Sequence, residues 1–92
     1  MKNVFYLQAQ NLMKENNFER LVLNFVPTES DAEEIIQNLN EDNVNEIIIT
    51  DNASGLIQIL GVFLKHGFKI QYSVTQKMNK WGTTKEGLLL TK

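Results

Sequence analysis

The sequence predicts an α/β fold: a single small domain, residues 1–92, with a three- to four-stranded, mainly parallel sheet. Three observations predict it. Ile47-Ile48-Ile49 is a β-branched run between polar residues, as suits a strand covered on both faces. Leu56 to Leu64 is a long apolar run, and Gly67 follows it where a helix stop is expected. Phe68, Ile70, Tyr72 and Val74 alternate with Lys69, Gln71, Ser73 and Thr75, the period of a strand with one wet face. Together these read as strand, tight turn, helix, strand. Units of that kind imply parallel pairing through a right-handed crossover.

The elements follow in order. Phe5, Ala9, Leu12 and Met13 form a helical stripe, so residues 2–16 predict a helix. Phe18 to Val26 contains Leu21-Val22-Leu23 and reads as an interior strand, ended by Pro27, which lacks a backbone donor. Ser30-Asp31-Ala32-Glu33 matches a capping box, and Ala32, Ile35, Ile36 and Leu39 fall at i, i+3, i+4 and i+7 of the helix it opens. Asn40 to Asn45 is a loop before the isoleucine strand. In the next helix, at about 100° per residue, Ala53, Leu56, Ile57, Ile59, Leu60, Phe63 and Leu64 take one broad side. Only Ser54, Gln58, Gly61 and Lys65 form a polar strip, so this helix is expected to be covered over most of its girth. Residues 76–85 fit a loop, a hairpin turn or a short helix. Gly87 to Thr91 is a last strand, expected antiparallel to its predecessor because the connection is short. The order is α-β-α-β-α-β-β. The first helix is expected to cover the sheet face that the crossover helices leave open.

Composition narrows the function. No apolar stretch reaches the ~20 residues that span a bilayer, so no membrane partner is expected. The first residues predict no secretory signal. Cysteine is absent, which excludes disulfides, thiol chemistry and zinc–thiolate sites and fits a cytoplasmic location. The frequent Asn, Lys and Ile suggest an AT-rich genome of bacterial or phage type. Net charge is −2, but it is unevenly spread. From Glu29 to Asp51 there are eight acidic residues and no Lys or Arg; from Asn52 onward there are six lysines against Glu86 alone. Such a split gives either two ordinary solvated surfaces or an acidic face and a basic face that meet a partner.

Two places could carry function. Asp51, Asn52, Ser54 and Gly55 follow the carboxyl end of a predicted parallel strand and open a helix. α/β sheets hold ligands there, and free N–H groups could hold an anion. A plain helix cap, with Gly55 placed for close packing, uses the same residues. No glycine-rich nucleotide motif is present. The second place is Lys77, Lys80, Trp81 and Lys85, a basic aromatic patch suited to a protein partner or to single-stranded nucleic acid. The pI of about 5.3 argues against nucleic acid. His66, the single histidine, reads as a helix-end residue. Neither a catalytic set, nor a metal site, nor a cofactor is predicted.

Ser54-Gly55-Leu56, with Ile59-Leu60-Gly61 beyond, resembles the strand–turn–helix of STAS domains of the anti-anti-sigma-factor type. That resemblance spans about ten residues. It implies a phosphorylatable switch at Ser54, with Asn52 at the usual aspartate position, in a cytoplasmic protein-binding regulator. Thr50 to Gly55 and Lys77 to Gly82 are also similar to segments of serine-resolvase catalytic domains. Pro27 stands near the nucleophile position there, and the catalytic arginines have no counterparts. The expectation is therefore a non-enzymatic protein-binding or regulatory module. The alternatives are a binder of small anionic or phosphate ligands at Asp51–Gly55 and a single-stranded nucleic-acid binder. Homodimerisation could use acidic-to-basic face contact or the edge of the last strand.

Overall fold

A computed structural model describes residues 1–50 and 55–92. Three helices and four strands follow in the expected order: α1 (Val4–Asn16), β1 (Leu21–Leu23), α2 (Glu29–Glu41), β2 (Glu46–Ile49), α3 (Leu56–Lys65), β3 (Lys69–Lys77) and β4 (Thr84–Thr91). β1 is shorter than predicted, and Phe18–Arg20 lie before it outside the ladder.

The sheet is four-stranded with order β1-β2-β4-β3. β1 and β2 pair parallel, with Val22 opposite Ile48, which makes β1-α2-β2 the expected crossover. The other two pairings, β2–β4 and β4–β3, are antiparallel. The sheet is therefore mixed, not mainly parallel. The reason lies in the last two strands. Their short connection forces them antiparallel. Leu89 and Leu90 point to opposite faces and are both buried, so β4 needs a slot inside the sheet. It takes the slot between β2 and β3. β2 and β3 stay parallel to each other across it, as in a split β-α-β unit. β3, with its wet residues, is left at the edge. The last strand is thus interior along Leu88–Thr91, where β2 and β3 flank it, and is not the edge strand expected for dimerisation.

The main core lies on one face of the sheet. Leu21, Leu23, Ile47, Ile49 and Leu90 meet Tyr6, Ala9, Ile35, Ile36, Leu39, Ile59 and Phe63 from all three helices. Phe63 and Phe68 meet edge to face at 5.6 Å and close the core where α3 turns into β3. Gly67 there has a φ of +94°, so the predicted glycine stop is where it was expected. α1 lies along β1. It joins the main core through Tyr6 and Ala9, and it shares a hollow with Val22 and Asn24. It does not cover the second face. That face carries a smaller cluster, Val22, Ile48 and Leu89, flanked by Phe18, Val74 and Met78 and containing no helical residue.

Two local expectations need correction. The cap of α2 is Thr28, not Ser30: its hydroxyl accepts from the Asp31 N–H at 3.1 Å and donates to the Asp31 carboxylate at 2.7 Å. Thr28 holds the box-forming hydroxyl two residues earlier, and Ser30 is already inside the helix. α3 is also less covered than its sequence implies. Ile59, Val62 and Phe63 are buried, while Ile57 is 83% and Leu64 46% exposed. One neighbouring helix and one sheet face cover less than its apolar girth.

Candidate functional site

The basic aromatic patch is a β-hairpin. β3 and β4 pair from Lys69–Thr91 to Lys77–Thr84. Their connection is held by the Met78 N–H donating to the Thr83 carbonyl at 2.7 Å. Asn79 organises the turn: its side-chain oxygen accepts from the N–H groups of Trp81 at 2.9 Å and Thr83 at 3.2 Å. A short amide bonding to backbone two residues on is the usual way such turns are fixed. Trp81 therefore stands at the tip, 87% exposed.

The hairpin does not project freely. It bends over the second face of the sheet, and Gly87 lies close against β2. A Cβ there would lie 2.9 Å from the side chains of Ile48 and Thr50 and 3.0 Å from the Ile49 carbonyl. Glycine allows that approach, and it seats Val74 and Met78 against Val22, Ile48 and Leu89. Between the bent hairpin and the Phe18–Arg20 segment runs a groove of about 640 Å³, with Phe18, Arg20, Ile48, Gln76, Lys77 and Lys80 among its walls. An adjoining hollow of about 500 Å³ leads to Trp81 and to Leu12 of α1; the two share Asn16, Asn79 and Lys80.

Two of the four patch residues, Lys77 and Lys80, thus line this groove, and Trp81 lines the hollow beside it. Lys85 does neither. Its ammonium donates to the Asn24 side-chain oxygen at 3.0 Å, which also accepts from the Thr50 hydroxyl at 2.9 Å. Lys85 therefore sits where β1 and β2 end, near Thr50, which precedes the second candidate site in the sequence. Of that site, Asp51, Asn52 and Ser54 lie outside the described residues. Gly55 is exposed, and no described residue lies within 4 Å of where its Cβ would be. A hollow of about 200 Å³ lies at the end of β2 with Thr50, Leu56, Ser73 and Glu86 on its walls.

Chemistry in the described residues is sparse. No cluster of three or more His, Cys, Asp or Glu side chains could hold a metal ion among them. Arg20, at the groove, is paired with Glu46 at 2.9 Å. Among the described residues, the one strongly displaced ionisation is structural. Burial pushes the Tyr6 hydroxyl far up, aided by its 2.7 Å bond to Asp42. Asp42 is held below the usual carboxylate range by Lys2 first and Tyr6 second. Sequence reading missed Tyr6 and missed Phe18 and Arg20 as groove walls. The polar tip of Tyr6 hid its burial, and the other two read as part of a strand that in fact begins at Leu21. His66 is exposed at the end of α3, as its position suggested.

No helix among the described residues is long and apolar enough to cross a membrane. A family model described as a domain of unknown function, DUF7698, matches residues 6–90. No curated protein and no solved structure matches the chain.

Proposed function

We propose that this chain, which belongs to the DUF7698 family, is a non-enzymatic module that binds another protein through its β3–β4 hairpin. The observation that carries the reading is Trp81, 87% exposed on a turn fixed by Asn79. The turn holds its indole out in water, and tryptophan is favoured as an interface anchor. Lys77 and Lys80 beside it make the hairpin wall of the groove positive, with Glu19 and the Glu46-paired Arg20 on the opposite wall, and a positive wall suits an acidic surface. The uneven charge map fits the same picture, with the basic half of the chain built into the hairpin. The STAS resemblance adds a regulatory form in which phosphorylation of Ser54 governs binding.

Site-specific photo-crosslinking in the native host tests this. A photoreactive residue replacing Trp81 should give one discrete protein adduct. Lys77→Glu with Lys80→Glu should remove it. Absence of any adduct from Trp81, with adducts from α3 instead, would refute the reading. The same tryptophan separates protein from nucleic acid, since it is the only one. Stacking on a thymidine oligomer would quench it, and quenching at physiological salt would move the function to nucleic acid.

A second reading rests on Lys85. Its ammonium, beside Thr50 at the strand ends, supplies a cation to the anion site suggested for Asp51–Gly55. Inorganic phosphate at millimolar concentration should then shift the amides of Thr50 and Gly55, and Lys85→Ala should abolish the shift. Unchanged amides eliminate this reading and leave the hairpin untouched.

A further inference from the structure

We infer that the outer edge of β3 accepts an extended, acid-flanked segment of the partner protein as a fifth strand, a mode that rests on the hairpin being a protein-binding surface. β3 is the longest strand, nine residues from Lys69 to Lys77, and it stands at the end of the sheet. Its ladder partner is β4 on one side, so backbone donors and acceptors face outward, the row being broken by a register shift between Ile70 and Tyr72 and the Lys77 carbonyl accepting from the Gln76 amide. Seven of its residues are exposed; Val74 and Gln76 are half-buried. Ile70 and Tyr72 are 43% and 58% exposed, apolar surface that an added strand would cover. Edges of this kind are extended by incoming peptides, with backbone bonds giving affinity and alternate side chains giving choice.

Charge selects the occupant. β3 has a lysine at each end and no acidic residue, and neither lysine is in an ion pair among the described residues. Opposite charges facing across strands attract, and like charges repel. A second copy fits poorly: antiparallel pairing about Ser73 sets Lys69 against Lys77 at both ends, and parallel pairing in register sets each lysine beside itself. A segment with glutamate or aspartate at both ends answers both lysines. The lysines therefore guard against self-pairing and admit an acidic strand. Trp81 stands just beyond Lys77, so a partner laid along β3 reaches the anchor at the tip.

The test uses the full isotope-labelled chain and a nine-residue peptide of alternating valine and threonine with glutamate at each end. At about 1 mM peptide, amide shifts and slowed hydrogen exchange should be confined to residues 69–77. A lysine-ended peptide should bind at least about tenfold more weakly, and Lys69→Glu with Lys77→Glu should reverse that preference. N-methylation of alternate peptide amides should abolish binding. Binding that survives N-methylation would show charge attraction without strand addition and overturn the inference. So would shifts lying elsewhere, no shifts, or β3 shifts that grow with protein concentration without peptide. If a Trp81 adduct persists in any of those cases, the hairpin is still a binding surface and only the strand mode fails; if the adduct is absent too, both fail.

Discussion

Gly87 and Asp42 show how single positions set this structure. At Gly87 a methyl group would meet two side chains of β2 and a carbonyl at or below 3.0 Å. Backbone carbonyls do not move aside cheaply, so the hairpin must lift. Gly87→Ala should cost about 1–3 kcal/mol, the range for overpacking a tight site. Urea unfolding checks the cost, and loosened packing of Met78 against Ile48 checks the cause. Asp42 gathers Lys2, Tyr6 and Gln10 around one carboxylate and ties α1 to the end of α2. Its folded pKa is depressed, so the stability it contributes is present above the ordinary carboxylate pKa and is lost as pH falls through the folded value. Tyr6 has the opposite sign. Its folded pKa is raised, so its contribution is complete below about 10 and declines as the unfolded chain begins to ionise above it. Melting temperature followed across pH should fall at both ends. Asp42→Asn should flatten the acid limb, and Tyr6→Phe should flatten the alkaline one.

Among the elements, α2 has the clearest sequence signature, and its start is where a change should be felt. Thr28→Ala removes the acceptor for the Asp31 N–H and should cost about 0.5–2 kcal/mol, whereas Ser30→Ala should be nearly silent. Chemical denaturation of the two variants separates the cap seen in the structure from the one read in the sequence. β2 and α2 were legible because their own residues specify them, three isoleucines and a four-point stripe; β3 was legible as a strand, but its expected covered face is not formed, since Ile70 and Tyr72 are exposed and a register shift falls between them. The sheet order was not, because pairing is decided between elements. The signal was nevertheless present in contrast. Leu88-Leu89-Leu90 is continuously apolar and needs cover on two faces; Lys69 to Lys77 is half polar and tolerates an edge. Weighing those two runs against each other places β4 inside and β3 outside. The patch Lys77, Lys80, Trp81 and Lys85 was readable as composition. Its division was not, because packing of the hairpin on the second face sends Lys85 to the strand ends and leaves Lys77 and Lys80 on the groove, with Trp81 at the hollow beside it.

At the scale of the molecule, the two sides of the sheet are chemically distinct. One carries the helix layer, with the acidic α2 and the exposed apolar ridge of Ile57 and Leu64 on α3. The other carries the groove and the lysine-flanked hairpin. Two exposed apolar features on opposite sides make competing claims on a partner, and charge decides between them. The α3 ridge has Lys65 as its one charged neighbour on the helix, so contact there would be insensitive to salt. The hairpin lysines are exposed, and exposed charges are screened within about 10 Å at 0.1 M salt. Raising salt from about 0.05 M to about 0.5 M should therefore reduce the yield of the Trp81 adduct severalfold. Ile57→Lys should leave that yield unchanged and alter stability by less than about 0.5 kcal/mol, as for most surface substitutions. The reverse pattern, an adduct indifferent to salt and lost in Ile57→Lys, would place the partner on the helix layer. Trp81 would then be an exposed residue with no part in recognition.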